Sequence, residues 1–288
     1  MKSCGELEFV VEKGKAEAFC EWAREAYGTE PAWMERPGDG ASVVTVYGAD
    51  ESEVEGWLRR GVPEGLGVVS ARARRCDERE WTGFWKHHFR AADVGRRLRV
   101  VPVWEKVPDR RRVNLKIDPG LSFGTGMHFT TRFCLEQLED ALGRAGVGCS
   151  VLDAGSGSGI LAIAAAKLGA GRIDAFDVDP VCVAQFAKNR RLNRVAAGRI
   201  RYEQGNVMTW GEETNVPYGV VCANILSHLL VRAAKRLWGL TAPGGRLILA
   251  GIRDAEGDEV SDAYRALGAR ELVRDSDGEW CGLAMGRP

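Results

Sequence analysis

VLDAGSGSGI, Val151 to Ile160, is the stretch that decides the fold of this chain. Val151 and Leu152 read as the end of a buried strand, which Asp153 closes. Gly155, Gly157 and Gly159 follow at alternate positions, and LAIAAAKLG then reads as a helix. Strand, glycine turn and helix make a nucleotide-binding crossover, because glycines let backbone N–H groups approach a ligand at a helix N-terminus. The dinucleotide fingerprint is G-x-G-x-x-G. Here the third glycine comes one residue early, and an acid stands two residues before the first. Alone, the turn also fits another nucleotide enzyme or a plain tight turn.

Outward from the turn, strands and helices alternate. RIDAFDV is a second strand, ending at Asp177, and VCVAQFAKNRRLN is its helix. RIRYEQ is a third strand. YGVVCANI is a fourth, ending at Asn224, and one helix is expected over LSHLLVRAAKRLWGL. GGRLILAGI is a fifth strand, AYRALG is helical, and ELVRDSDGEWCGLAMGR closes as a hairpin. This alternation predicts a doubly wound, mostly parallel sheet. Ligands in such sheets bind at the carboxyl ends of strands, where strand order reverses.

The strand ends suggest the ligand. An acid two residues before a shortened glycine turn is the pattern of methyltransferases that use S-adenosylmethionine (SAM), a ligand with an amino acid and no pyrophosphate. Asp177 lies 22 residues after Gly155, the spacing at which an acid accepts from both ribose hydroxyls. Asp179-Pro180 reads as a helix N-cap. Asp153 can accept from the methionine ammonium, and equally can brace the turn; the two roles are compatible. Asn224 ends the fourth strand, where an oxygen can accept from an incoming amine and aim its lone pair. Asn206 replaces an expected acid and is left out of the site. No dedicated base is evident; His128 and His228 read first as polar wall residues.

Upstream, DPGLSFGTGMHFTT, Asp118 to Thr131, precedes a helix expected to begin near His128. Gly124 and Gly126 allow close backbone approach. Phe123 offers a ring face, and Thr125, Thr130 and Thr131 offer hydroxyls. A loop this rich in special residues is expected to cover a ligand. RLRVVPVW and VNLKID before it read as paired strands, a hairpin over the catalytic domain. DEREWTGFWKHHFR, residues 77–90, reads as a connecting helix with an aromatic stripe. His87 and His88 are adjacent, which is poor metal-ligand spacing.

Residues 1–75 read as a small α+β unit: strand ELEFVVE, helix KAEAFCEWAREAYG, strand SVVTVYG, helix SEVEGWLRR, strand GVVSARA. This resembles the ferredoxin-like arrangement. The expected domains are thus 1–75, a connecting helix and strand over 76–112, and a catalytic domain over 113–288. Residues 1–69 hold 7 Lys+Arg against 14 Asp+Glu, and residues 70–112 hold 13 against 6. Opposed charge of this kind fits two solvated surfaces facing each other, or an acidic docking module for a basic protein.

The chain has 288 residues, 45% hydrophobic and 28% charged, the composition of an ordinary globular protein with a full core. Lys+Arg and Asp+Glu are both 40, so global charge argues for neither nucleic acid nor membrane. No apolar run approaches the roughly 18 residues of a membrane span, and MKSCGELEF lacks the apolar core of a signal peptide. The eight cysteines form no C-x-x-C, so no zinc site is expected and a reducing cytoplasm suits them. A monomer is expected.

Taken together, DPGLSFGTGMHFTT, LDAGSGSGILAIAAAKLGA, AFDVDP, ANIL and the terminal GEWCGL resemble, in order and spacing, the methyltransferase family acting on ribosomal protein eleven of the large subunit. EWTGFWKHHFRAADVGRRLRVVPVWE resembles that family's linker. The resemblance implies a class I SAM-dependent (Rossmann-like) domain behind a small N-terminal domain that holds the ribosomal protein. It implies methylation of lysine side chains or the N-terminus, with Thr131, Gly155, Asp177 and Asn224 contacting SAM. With the residues read above, the expected SAM site is Phe123, Thr125, Thr131, Asp153, Gly155, Gly157, Asp177 and Asn224, and Asn224 is also the catalytic candidate. The chain departs from the family at Met127 and Phe129, at Ser156, at Ser227-His228-Leu229 and at Ala250 to Arg253. The last two departures lie towards the acceptor. Methylation of another amine, or a SAM-binding scaffold without turnover, therefore stand as the alternatives.

Overall fold

A computed structural model of the chain describes residues 3–27, 31–36, 40–48, 51–77, 90–106, 111–118, 126, 128–146, 148–211 and 216–288. The connecting helix expected over 77–90 and most of the 118–131 loop, with Phe123 and Thr125, lie outside the described residues. Contacts group the chain into two units, Met1–His88 and Phe89–Pro288.

The first unit runs β1 (Ser3–Val11), α1 (Ala16–Tyr27), β2 (Ala32–Glu35), β3 (Ser42–Gly48), α2 (Glu51–Arg60) and β4 (Val68–Asp77). The strands form one antiparallel sheet in the order β2-β3-β1-β4. This β-α-β-β-α-β order is that of ferredoxin-like folds. Period-two alternation puts Leu7, Phe9 and Val11 on one face of β1, fully buried in a core with Phe19, Val54 and Trp57 of the helices. The four-residue β2 is the one element of this unit that the sequence reading lacks.

The second unit opens with a small sheet: β5 (Ala92–Val94), β6 (Leu98–Pro102) and β7 (Val113–Ile117). Here the sequence expectation is corrected. β6 and β7 are not a hairpin but a parallel pair, an arrangement that a tight hairpin turn cannot join.

The rest is α3 (Phe129–Ala145), β8 (Val151–Ala154), α4 (Ile160–Leu168), β9 (Ile173–Asp177), α5 (Pro180–Leu192), β10 (Arg201–Gln204), β11 (Tyr218–Asn224), α6 (Ser227–Arg232), α7 (Ala234–Leu240), β12 (Thr241–Arg253), α8 (Gly257–Arg265), β13 (Arg270–Ser276) and β14 (Trp280–Gly286). The seven strands order as β10-β9-β8-β11-β12-β14-β13. The first five are parallel, and β14 runs antiparallel to both its neighbours. Strand order reverses between β8 and β11, so their carboxyl ends border the crevice where such sheets bind ligands. A second correction concerns the helix after β11. It is split at Ala233, whose φ of −87° and ψ of 2° leave the helical region. The Tyr264 hydroxyl donates to Leu230 O at 3.0 Å, taking a carbonyl that a continuous helix gives to residue 234. Among the described residues, no helix is long and apolar enough to cross a membrane.

Candidate active site

β8 is buried at all four residues between β9 and β11. A hydrophobic central strand therefore carries Asp153 to the carboxyl edge, and the glycine turn follows at once. Gly155, Gly157 and Gly159 have φ of 75°, 49° and 79°, a left-handed region that strains other residues. Sterics demand glycine independently at two of them. A Cβ on Gly155 would stand 2.3 Å from Ile225 Cγ2, and one on Gly159 would stand 2.3 Å from Phe186 Cδ2. Backbone bonds from Gly155 and Ser156 N–H to Phe176 O, both 3.0 Å, pin the turn to the end of β9.

Asp177 closes β9 and sits against the same turn. Its Oδ2 accepts from Gly157 N at 2.7 Å, and its Oδ1 accepts from Asp179 N at 3.0 Å. Asp179 in turn caps α5, accepting from Val181 N at 2.8 Å, the N-cap role expected of it. Asp177 thus stands between turn and helix, half-buried, where a diol would meet its carboxylate.

Asp153 is buried, 1% exposed. Its Oδ2 accepts from Ala162 N at 2.9 Å. That bond satisfies one of the free N–H groups at the start of α4, which its own N-cap, Gly159, has no side chain to reach. Its Oδ1 has no partner. Burial pushes the carboxyl up to about 7; the Ala162 N–H pulls the other way, and the Asp177 charge adds to the rise. A buried carboxylate with one vacant oxygen suits a cationic ligand group.

Asn224 lies one residue beyond Ala223, which pairs with Ala154, so it stands level with Gly155 across the crevice. Its Nδ2 donates to Thr131 Oγ1 over a long 3.5 Å. Its Oδ1 is buried with no partner. Thr131 is itself buried, at the start of α3. The helix begins there because His128 caps it: Nδ1 accepts from Thr130 N at 3.4 Å and lies 2.8 Å from Thr130 Oγ1. The His128 ring meets Trp280 edge-on at 5.0 Å. Burial lowers its pKa, with Glu279 and Asp277 opposing the shift. His228 is exposed on α6.

Five expected site residues, Asp153, Gly155, Gly157, Asp177 and Asn224, thus come together at the carboxyl ends of β8, β9 and β11, and Thr131 joins them through Asn224. Of the covering loop, Gly126 is described. It is buried, and a Cβ on it would come within 2.9 Å of Ile160 Cδ1 and both Val100 methyls. Gly126 therefore lies directly against the first residue of α4. Sequence reasoning missed His128 as a helix cap and Ile225 as the side chain that requires Gly155. A histidine two residues before paired threonines was the available signal for the cap.

Asp153 Oδ1, the Asp177 carboxylate and the glycine turn offer what three groups of SAM would need: an acceptor for its ammonium, an acceptor for its diol and close backbone approach. Among the described residues, no cluster of His, Cys, Asp and Glu could hold a metal.

The family model described as "Ribosomal protein L11 methyltransferase (PrmA)" matches residues 15–288. A relative of that name from Dechloromonas aromatica is 38% identical over 261 residues, covering 90% of this chain and 84% of its own length. Another, from Pelotomaculum thermopropionicum, is 37% identical over 233 residues, covering 81% and 73%. The crystal structure of a ribosomal protein L11 methylase from Lactobacillus delbrueckii subsp. bulgaricus aligns with a TM-score of 0.60 and 28% identity, over 69% of this chain and 99% of that one. The chain belongs to the ribosomal protein L11 methyltransferase family and is a SAM-dependent protein methyltransferase.

Proposed function

We propose that this enzyme transfers methyl groups from SAM to amino groups of large-subunit ribosomal protein L11, on lysine side chains and the N-terminus. The observation that carries the reading is the buried, partnerless Asn224 Oδ1 beside Gly155. SAM supplies the methyl group on a sulfonium. The protein's part is to present a neutral amine in line with it, and positioning supplies much of the rate of such a displacement. Asn224 Oδ1 accepts an N–H of the amine and thereby turns the lone pair away from itself. Thr131 Oγ1 accepts from the Asn224 Nδ2 and holds the amide. A lysine with a pKa of roughly 10.4 sits about three units above neutral pH, so losing its proton costs about 4 kcal/mol in water. Burial beside Asn224 reduces that cost by disfavouring the charged form. The proton leaves to water as the amine enters.

The N-terminal residues support a basic acceptor, since residues 1–69 carry twice as many acids as bases. Opposed potentials speed encounter and reject wrong partners. The test is transfer of labelled methyl from SAM to total protein of source cells lacking this gene, with labelled bands identified by mass spectrometry. Label on L11 is expected. Label on another protein would keep the chemistry and replace the acceptor. SAM bound with no label in any protein would point to a small amine or to a scaffold.

A further inference from the structure

α5 carries an unusual pair of buried amides. Asn189 is 0% exposed and Asn193, at its C-cap, is 7% exposed. Each forms a two-way amide pair with the free edge of β7. Asn193 Oδ1 accepts from Lys116 N at 2.8 Å, and its Nδ2 donates to Lys116 O at 2.7 Å. Asn189 Oδ1 accepts from Asp118 N at 2.9 Å, and its Nδ2 donates to Asp118 O at 3.3 Å. The spacings match. Four helical residues rise about 6 Å, and two strand residues rise about 6.6 Å. The helix thus mimics a neighbouring strand and covers an edge that would otherwise be open.

Asn189 does one thing that Asn193 does not. Its Nδ2 also donates to Ser158 O at 3.0 Å, inside the glycine turn. The turn is therefore held on both sides by groups flanking α5: Asp177 takes the Gly157 N–H, and Asn189 takes the Ser158 carbonyl. The same amide fixes Asp118, the residue that follows β7. Gln185 Nε2, one turn earlier, adds a bond to Asp118 O, and Lys188 pairs with its carboxylate at 2.7 Å.

We propose that Asn189 is a positioning residue for SAM: it locks the glycine turn and the exit of β7 to one helix, so that both present the cofactor-binding backbone in register. Its side chain makes three hydrogen bonds, all to backbone. Its loss removes the side-chain bonds to Ser158 O and Asp118 N–H that tie the turn and the residue after β7 to α5.

Three kinetic comparisons test this. Asn189→Ala is expected to raise KM for SAM about tenfold and to leave KM for the protein acceptor within about twofold. Asn189→Asp keeps the acceptor for Asp118 N but sets a carboxylate against two carbonyls, and is expected to behave like Asn189→Ala. Asn193→Ala removes the Lys116 pair together with the bonds to Asn189 O and Lys167 Nζ, none of them to the turn; it is expected to lower Tm at least as much with KM for SAM within about twofold. Equal effects of the Asn189 and Asn193 variants on KM for SAM at equal loss of Tm would overturn the proposal. So would an unchanged KM in Asn189→Ala. If the Asn189 variants do not fold, amide exchange in the wild-type enzyme decides by reciprocity of coupling. Saturating SAM should slow exchange of the Asp118 N–H several-fold more than that of Lys116; equal slowing of the two, or none, would refute the role.

Discussion

The two ends of the seven-stranded sheet treat their polar groups in opposite ways. At the amino end, Asp174 accepts from the Tyr218 hydroxyl at 2.6 Å and pairs with Arg172 at 3.3 Å. The Arg172 guanidinium lies over the Tyr218 ring at 4.1 Å and donates to Val216 O. Arg199 donates to the carbonyls of Gly171 and Ala170, and Arg201 pairs with Glu203. A cleft opens there, but its charged groups already have protein partners. At the carboxyl end, Asp153 Oδ1 on β8 and Asn224 Oδ1 on β11 are buried and bare. A bare buried oxygen costs stability. The amino end pairs its polar groups within the protein, and the carboxyl end leaves these two oxygens unpaired.

That contrast sets the order of the expected effects. Asn224→Ala should cost most, about 100-fold in kcat from lost aiming, with SAM affinity changed far less; stopped-flow transfer beside calorimetric SAM titration separates the two. The opposite ranking would remove Asn224 from its aiming role. Asp177→Ala should weaken SAM binding by about 1–3 kcal/mol, the scale of a lost hydrogen bond to a charged group, and an unchanged titration would take Asp177 out of the site.

Asp153 should show its double nature in pH. Its folded pKa, about 7, lies above the unfolded value of about 3.9. The folded state therefore binds more protons between those values, and stability of the ligand-free enzyme falls as pH rises through that window. Asp153→Asn should raise Tm at pH 8 and flatten that slope. The ionised form is the one that receives an ammonium, so wild-type SAM affinity should improve as pH rises through about 7; the variant should bind more weakly without that pH step. The smallest effect on function belongs to the amino end. Tyr218→Phe should lower stability by about 1 kcal/mol and leave SAM affinity and kcat as they were. A loss of SAM binding there would break the comparison.

How much of this could be read in the sequence follows from the same contrast. The residues gathered at the carboxyl edge stand out because they violate local habit. Three glycines in alternation, an acid at the end of an apolar strand and an asparagine closing YGVVCAN announced Gly155, Asp153, Asp177 and Asn224. Groups that serve only the fold do not stand out. β2, four residues with Trp33 half-exposed at a sheet edge, shows no clear alternation. The break at Ala233 has no glycine or proline to mark it, and the Tyr264 hydroxyl that bonds Leu230 O beside it comes thirty-one residues later. β6 and β7 read as a hairpin because proximity in sequence favours one, and only their pairing decides otherwise. Asn189 and Asn193 pass as surface polar residues of an ordinary helix, because the backbone edge they serve belongs to a strand more than seventy residues earlier.

The central claim is that the bare oxygens at the carboxyl end serve methyl transfer to a ribosomal protein. The most direct measurement incubates purified, unmethylated L11 with SAM and either the wild-type enzyme or Asn224→Ala, and reads intact mass and modified residues by mass spectrometry. The account predicts methyl additions at lysines or the N-terminus of L11 with the wild type, and far slower addition with Asn224→Ala while SAM remains bound. L11 left unmodified by a wild-type enzyme that binds SAM, or modified equally fast by the variant, would contradict it.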